Sequence, residues 1–276
     1  MYSFLRFPDF RYKAVTLSYD DGVVFDKKLI GILDKYGLKC TFNLNSGLFA
    51  DQTGGRKLTK DEATILYGNS PHEVAVHGVY HLSLTEVSPE AATRDVIADR
   101  ENLEKQFGRI IKGMAYANGS YNDTVVKILE NCGINYARTT VSTGKFDIPT
   151  DWLRMPATCH HAAPDLDLIT DEFLALKENG YYWSRSPKLF YLWGHSYEFN
   201  DNNNWEIIEK FAQKVGNRDD IWYCTNGELY DYVKAYEKLE YSVDGKMIKN
   251  DTNTDIYLCY YGKTILVKAG TVYYVE

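Results

Sequence analysis

The chain has 276 residues, of which 45% are hydrophobic and 25% charged, and its formal net charge at pH 7 is −7. This composition is typical of a soluble globular protein, and no apolar stretch is long enough to span a bilayer, so we expect no membrane insertion. The acidic balance and the lack of any basic run argue against a nucleic-acid partner.

Apolar runs alternate with helical patterns along the first 240 residues. A strand predicted at 14–19 is followed by an amphipathic helix that ends at Gly37, and then by a strand at 40–44. Thr59 and Glu62 form a capping box that begins the next helix. The remaining predicted elements, in chain order, are strand 73–76, a helix from Ser88 to Gly108, strand 113–117, helix 122–132, strand 135–140, a strand at 153–155, helix 165–179, strand 189–193, helix 204–215, strand 221–224 and helix 227–239.

This alternation predicts an α/β fold, a distorted barrel of seven or eight parallel strands, each followed by a helix. A doubly wound open sheet is the alternative, although no Gly-rich nucleotide-binding turn follows the first strand. After residue 240 the pattern changes to short β runs separated by Gly, Asn and Asp turns. We therefore expect residues 1–240 to form the barrel and residues 241–276 a small β-rich appendage.

Polar side chains follow several of the predicted strands. Asp20 and Asp21 close the first strand, His77 follows the third with His81 four residues later, and His195 follows a later strand. Because the C-terminal ends of barrel strands meet at one mouth, we expect these residues to converge. One carboxylate and two histidines suit a catalytic zinc-type site, which leaves the other carboxylate free to act as a base. Taken singly these residues are typical of turns and solvated side chains, and only their joint occurrence favours a site.

Two of these stretches resemble motifs of one family. Residues 16–22 (T-L-S-Y-D-D-G) and 77–81 (H-G-V-Y-H) are similar to the T-F-D-D-G and H-[ST]-x-x-H motifs of carbohydrate esterase family 4, the polysaccharide deacetylases with a NodB homology domain. The similarity runs from about residue 14 to 236 and implies a barrel of the NodB deacetylase type. It further implies that Asp20 is the catalytic base and that Asp21, His77 and His81 bind a divalent metal. Zinc is the first candidate, with cobalt, nickel or manganese as alternatives.

Two further stretches extend the resemblance. Residues 192–195 (L-W-G-H) are similar to the fifth motif, which implies that His195 is the general acid and that Leu192 and Trp193 contact the substrate. Asp151 and Trp152 match the fourth motif, which implies that Asp151 orients His195 and that Trp152 packs on the acetyl group.

The chain departs from the family pattern at the third motif, R-x-P-Y. Ala115 stands where the family has an arginine that contacts the catalytic aspartate, while Asn118 can still offer a backbone N–H to an oxyanion. Tyr121 lies in a second partial match and is a candidate substrate contact. We predict that Arg154 reaches Asp20 from another strand in place of the missing arginine. A further departure is Gly78, which replaces the usual Ser or Thr between the two metal-binding histidines.

The resemblance implies a metal-dependent hydrolase that removes acetyl groups from N-acetylated sugars, releasing acetate and a free amine, with an acetylated carbohydrate as its partner. Two alternatives stay open. One is an O-acetyl esterase or another amidase on the same scaffold, and the other is a carbohydrate-binding pseudoenzyme, which the altered third motif and the β appendage would suit.

The cysteines and the N-terminus bear on the cellular compartment of the protein. The five cysteines are scattered without C-x-x-C spacing, so we expect reduced core residues and neither a disulfide framework nor a cysteine metal site. The N-terminus lacks the basic start and apolar core of a signal peptide, which favours the cytoplasm. Secretion or surface display is the alternative if a leader has been removed.

Overall fold

The computed structural model describes residues 3–178 and 185–275. The strands are β1 Ser3–Arg6, β2 Lys13–Asp20, β3 Cys40–Leu44, β4 Glu73–Val76, β5 Gly113–Ala115, β6 Tyr136–Ser142, β7 Met155–Ala157, β8 Cys159–His160, β9 Lys188–Gly194, β10 Ile221–Tyr223, β11 Glu240–Tyr241, β12 Met247–Asn250, β13 Ile256–Tyr260, β14 Lys263–Val267 and β15 Thr271–Tyr274. The helices are α1 Asp26–Lys35, α2 Lys60–Gly68, α3 Pro89–Phe107, α4 Asp123–Asn131, α5 Leu166–Ala175, α6 Ser196–Asp201, α7 Glu206–Val215 and α8 Asn226–Glu237. Among these helices, none is both long and apolar enough to cross a membrane.

The central sheet is parallel throughout and curves back on itself. Its strand order is β7-β6-β5-β4-β3-β2-β9-β8, with β10 also paired to β2. The two end strands of this order, β7 and β8, are separated in the sequence by Thr158 alone. Because one residue spans less than 4 Å, the two edges of the sheet must meet there. The predicted α/β barrel is therefore confirmed.

Strand β2 shows how the barrel distributes its side chains. All eight of its residues are buried. Alternate residues point to opposite faces of a strand. Val15, Leu17 and Tyr19 join the apolar layer that the helices cover. The residues between them are polar, and Ser18 and Asp20 hydrogen-bond to side chains from neighbouring strands. The interior of the barrel near its mouth is thus polar and lined by hydrogen bonds.

Several helix ends form as the sequence predicts. In α2 the Thr59 hydroxyl accepts the Glu62 N–H at 3.2 Å, and the Glu62 carboxylate accepts the Thr59 N–H at 3.0 Å. Helix α3 begins after the Ser88 cap and ends at Gly108, whose φ of +63° is left-handed. Such caps satisfy backbone groups that have no partner within the helix.

Other predicted elements differ from the structure. The strand expected at 153–155 is a 3-10 turn over Trp152–Arg154, and β7 begins only at Met155. The reason is local, because the Asp151 side chain accepts the Leu153 N–H and so stabilises a turn. The helix expected at 165–179 ends at Ala175, and residue 179 lies outside the described residues. Strands β1 and β8 and helix α6 were not predicted, since each is too short to show a periodicity.

The C-terminal appendage consists of two three-stranded sheets, β1-β13-β14 and β11-β12-β15. Strand β1 comes from the N-terminus and pairs antiparallel with β13, with Leu5 opposite Leu258. The Tyr232 hydroxyl of α8 donates to the Arg6 carbonyl and accepts the Tyr257 N–H, which ties the appendage to the barrel. The division at residue 240 remains a prediction, to which the structure adds that residues 3–6 pair with the appendage.

The appendage shares an apolar core with the barrel. Shortening one buried side chain tests this. Leu258 has no exposed surface, so we expect Leu258→Ala to lower the free energy of unfolding by about 2–5 kcal/mol through the cavity it leaves. Val243→Ala is the matched control, since Val243 is fully exposed and its change should be close to neutral. Urea denaturation measures both. Equal stability of the two variants would show that Leu258 does not contribute to this shared core.

Candidate active site

Asp20, the last residue of β2, is a buried and ionised carboxylate. It is 2% exposed. Its Oδ1 accepts a hydrogen bond from the Asn43 side chain at 2.8 Å, and its Oδ2 accepts one from the Arg138 guanidinium. Burial by itself raises the pKa of Asp20, but the Arg138 guanidinium together with His77 and His195 outweighs it and lowers the pKa to about 2. Asp20 therefore carries a negative charge at neutral pH.

Arg138 supplies the guanidinium that the altered third motif lacks. It lies in β6, and its backbone is the register partner of Ala115 in β5. The side chain is 1% exposed, donates to Ser18 Oγ at 3.2 Å and lies 4.3 Å from the centre of the Trp193 ring. The arginine thus reaches Asp20 from the neighbouring strand at the same height in the barrel.

The prediction for Arg154 is wrong. Its guanidinium binds Asp151 Oδ2 at 2.9 Å and Asp123 Oδ1 at 2.6 Å, and its side chain is one-third exposed. The 3-10 turn replaces the predicted strand there, so the arginine follows the turn outward to two carboxylates and not into the barrel.

Asp21, His77 and His81 form a compact group of possible metal ligands. Their ligating atoms all lie within 4.8 Å of one another. Asp21 Oδ1 is 3.9 Å from His77 Nε2 and 3.6 Å from His81 Nε2, and the two imidazole rings are 4.8 Å apart. These separations suit three atoms that each lie about 2 Å from a common ion.

The state of His77 tests whether this group fits a metal. Its Nδ1 donates to the Ala115 carbonyl at 2.8 Å, and burial lowers its pKa, so the ring is neutral with its free lone pair on Nε2. That Nε2 is buried and has no hydrogen-bond partner. An unpartnered lone pair beside a carboxylate and a second imidazole is what a divalent metal would satisfy. The residues present therefore fit the ion that the family resemblance implies.

Two carboxylates of α3 hold the loop that carries the two histidines. Asp99 accepts the backbone N–H of His77 at 3.0 Å and that of Ser46 at 2.7 Å, while Asp95 accepts the Tyr80 N–H at 3.2 Å. Gly78 has a φ of +81°, and a Cβ there would lie 2.4 Å from Asp95 Oδ2. A Ser or Thr side chain at residue 78 would therefore have to displace the Asp95 carboxylate.

Two of the ligands have unusual backbone conformations. The φ values of Asp21 and His81 are +84° and +57°, which are left-handed and cost about 1–3 kcal/mol each for residues other than glycine. The Asp21 backbone is fixed on both sides, since its N–H donates to the Asn43 carbonyl and its own carbonyl accepts the Lys57 ammonium at 2.7 Å. Local strain is thus balanced by contacts that aim the ligands at one point.

His195 lies beside Asp20, but its carboxylate partner is not the one expected. His195 Nε2 is 3.8 Å from Asp20 Oδ2, and its Nδ1 is 3.2 Å from Glu198 Oε2. Asp151 instead pairs with Arg154 and caps the 3-10 turn, so its predicted role in orienting His195 is wrong. Burial lowers the pKa of His195, but the Glu198 hydrogen bond and the Asp20 charge raise it, and the net effect is upward.

Two predicted substrate contacts lie elsewhere. Leu192 is fully buried in the layer between sheet and helices, because it points to the opposite face of β9 from Trp193. Trp193, whose ring lies beside Arg138, is the neighbour that faces the site. Trp152 is 6% exposed and packs edge-on against Tyr230 of α8 at 5.2 Å. Leu192 and Trp152 are therefore core residues.

The loop after β5 carries the last two candidates. Asn118 lies in a turn with a φ of +57°, and its side chain donates to Ser83 Oγ at 3.0 Å. Tyr121 stacks on Tyr116, with ring centres 5.1 Å apart. The substrate roles of Asn118 and Tyr121 remain predictions.

Several residues of the site were missed from the sequence. Arg138 carried a signal, since it is the only charged side chain in the buried strand predicted at 135–140. Glu198 also carried one, three residues after His195 at the start of a helix. Asp95 and Asp99 carried little, because charged residues on a long helix are usually solvated.

Comparison with known proteins finds one family that part of the chain matches. Residues 8–137 match the family model for polysaccharide deacetylase. This part of the chain, which contains Asp20, Asp21, His77 and His81, is therefore similar to the polysaccharide deacetylases. The resemblance to carbohydrate esterase family 4 and its NodB homology domain is thereby confirmed. No curated protein matches the chain significantly.

Two solved structures, from Mycobacterium smegmatis and Streptomyces lividans, share the fold of this chain. A Mycobacterium smegmatis protein assigned to the polysaccharide deacetylases is 17% identical with a TM-score of 0.59, and the match covers 84% of this chain and 94% of that one. A family 4 carbohydrate esterase from Streptomyces lividans, in complex with acetate, is 15% identical with a TM-score of 0.50 and coverages of 77% and 92%. A Streptococcus pyogenes deacetylase, also with acetate, is 25% identical with a TM-score of 0.46. That match covers half of this chain and spans 61% of the length of the Streptococcus protein.

The space taken by Asp95 leads to a prediction for Gly78. Replacing Gly78 by Ser, as in the family motif, should weaken zinc binding by about tenfold or more, since it combines backbone strain of about 1–3 kcal/mol with a clash against Asp95. Gly144→Ser is the matched control, because Gly144 has a φ of +65° but no neighbouring atom within 4 Å of a new Cβ. Competition titration with a zinc-binding dye measures the affinities.

A double variant separates the clash from the strain. Adding Asp95→Ala to Gly78→Ser should recover part of the lost zinc affinity, because it removes the atom that the new Cβ meets. Unchanged zinc binding in Gly78→Ser alone would contradict the role given to Asp95.

Proposed function

We propose that the protein is a metal-dependent hydrolase that removes acetyl groups from N-acetylated sugars. The observation that carries this proposal is the buried, unpartnered Nε2 of His77, which lies with Asp21 and His81 beside an ionised Asp20. Asp21, His77 and His81 would hold the ion. When bound there, a divalent ion such as zinc would lower the pKa of a coordinated water and polarise the acetyl carbonyl.

Asp20 is suited to act as the general base. Its carboxylate is ionised and held in one orientation by Asn43 and Arg138, so it can accept the proton of the attacking water. Asp20 Oδ2, which Arg138 binds, also lies 3.9 Å from His77 Nε2 and 3.8 Å from His195 Nε2, so it is the oxygen that faces the site and would accept that proton.

His195 is suited to act as the general acid. Its upward-shifted pKa favours the protonated ring, and its Nε2 lies on the Asp20 side of the mouth, where the leaving amine would depart. Proton donation from His195 to the nitrogen of the leaving amine would release acetate and the free amine. On the family resemblance, the backbone N–H of Asn118 would stabilise the oxyanion.

The first experiment separates ligand from base. We expect His77→Ala to lose most bound zinc and nearly all turnover, because one of three ligands is removed. Asp20→Asn should retain zinc but lose turnover by on the order of a hundredfold or more, since only the base is removed. Metal analysis and acetate release from acetylated chito-oligomers measure the two effects.

The controls decide between the open alternatives. Acetate released only from acetylxylan would favour an O-acetyl esterase, and zinc binding without acetate release from any of these substrates or from peptidoglycan fragments would favour a carbohydrate-binding pseudoenzyme. Full zinc occupancy in His77→Ala would show that the ligands are assigned wrongly.

Arg138 provides a test of the acidic side of the pH–rate profile. Arg138 lowers the pKa of Asp20, so Arg138→Met should raise that pKa and protonate the base at higher pH. Because the base works only when ionised, the acidic limb of the profile should shift upward and kcat at neutral pH should fall, with zinc content unchanged.

Arg154→Met is the matched control for this test, since Arg154 binds Asp151 and Asp123 and not Asp20. Its profile should match that of the unmodified protein. A shift in Arg154→Met but not in Arg138→Met would reverse the assignment of the two arginines.

A further inference from the structure

One carboxylate oxygen outside the metal group lies among three imidazole rings. Glu198 Oε2 is 3.2 Å from His195 Nδ1, 3.2 Å from His160 Nε2 and 3.1 Å from His161 Nε2. We propose that Glu198 is the positioning residue for His195 and that His160 and His161 together anchor Glu198. The inference rests on the proposed function, in which His195 is the general acid, and assigns the carboxylate that this chain uses to orient it.

The hydrogen-bond pattern of the rings fits this arrangement. His160 Nδ1 accepts the Ala162 N–H at 3.1 Å, so a neutral His160 carries its proton on Nε2, which faces Glu198. His195 donates through Nδ1 to the same oxygen, which leaves its Nε2 directed toward Asp20. The carboxylate therefore selects both the orientation of the His195 ring and the nitrogen that faces the mouth.

The surrounding backbone holds Glu198 in this position. Glu198 is the third residue of α6, and its Oε2 also accepts the backbone N–H of His195 at 3.2 Å. His195 and its carboxylate thus belong to one helix start. Because a capping contact of this kind holds the side chain against the helix start, Glu198 cannot turn away without losing its hydrogen bond to the His195 N–H.

His161 shows that the anchor is built into the core. Its ring is 2% exposed, lies 4.0 Å from the Phe199 ring and 5.7 Å from the Tyr19 ring, and its Nδ1 is 3.2 Å from the Tyr19 hydroxyl. A Cβ on Gly194 would lie 2.0 Å from His161 Nδ1, so the residue before His195 has to be glycine. A solvated histidine pair would need none of these features.

The shared oxygen determines the expected effects on His195. Glu198 raises the pKa of His195, so removing its charge should lower that pKa. His160 draws on the same oxygen, so removing His160 should strengthen the remaining bond to His195 and raise its pKa. The titratable and charged groups that face His195 are Asp20 and Asp21 from the end of β2, His160 and His161 from the end of β8, and Tyr197 and Glu198 from α6.

The experiment uses the zinc-loaded full chain and two readouts. In Glu198→Gln, which keeps the shape but not the charge, the ¹⁵N-histidine NMR titration of His195 should shift to lower pH. The basic limb of the pH–rate profile should follow it, and kcat should fall by on the order of tenfold or more with little change in KM. Asp151→Asn is the matched control and should leave both curves in place, because Asp151 pairs with Arg154.

His160→Leu should move the titration of His195 in the opposite direction to Glu198→Gln. His160 is partly exposed, so this variant should fold, and the His195 titration should shift to higher pH. A fold defect alone would not move the two variants in opposite directions. An unshifted His195 titration in Glu198→Gln, or a shift in Asp151→Asn instead, would overturn the proposal.

Metal content and turnover separate the remaining outcomes. Zinc content equal in Glu198→Gln and the unmodified protein supports a positioning role, whereas a loss of one of two bound ions would overturn it in favour of a second metal site. If the unmodified protein binds zinc but releases no acetate, the proposed function fails, while the NMR titration still decides whether Glu198 controls His195.

Discussion

The buried ion pair between Asp20 and Arg138 is the interaction on which the site depends. Both side chains are almost without exposed surface, at 2% and 1%, and removing a charge from water is unfavourable unless an opposite charge compensates it. Breaking such a pair by removing one partner typically costs 3–5 kcal/mol. Three features stabilise this one contact: the polar inward face of β2, the position of β6 and the stacking of Trp193 on the guanidinium.

The pair also explains how a family pattern can be broken in sequence and kept in space. The family arginine belongs at Ala115, yet Arg138 is the register partner of that residue on the next strand. Neighbouring strands lie only about 4.8 Å apart, so a long side chain can reach the same carboxylate from either one. When the motif is compared along the chain, its arginine is missing. When it is compared across the sheet, the arginine lies one strand away. The same reasoning applies to Gly78, because Asp95 of α3 fills the space of the missing side chain.

The sequence predicts features that depend on neighbouring residues, but not contacts between residues that are distant in the chain. The alternating pattern of β2, the capping box of α2 and the placement of Asp20, Asp21, His77 and His81 at strand ends are local signals, and the structure has these features. The partners of those residues were missed because each is fixed by packing between elements distant in sequence. Arg154 shows the limit most clearly, since a turn stabilised by the Asp151 side chain replaced the expected strand and directed the arginine outward.

The position of His195, the proposed acid, is fixed by Glu198 and also by contacts of the next residue. Ser196, the next residue, donates to Asp26 Oδ1, while Tyr67 of α2 donates to Asp26 Oδ2. Asp26 is fully buried, and burial raises its pKa to about 7. The start of α6 is therefore joined through one carboxylate to the start of α1, which follows β2, and to α2. His160 lies in β8, the strand on the other side of β9 from β2, and His161 directly follows it. Because the base Asp20 is fixed by Arg138 and the acid is fixed on two sides, the geometry between them is set by buried polar contacts and not by the exposed loops around the mouth.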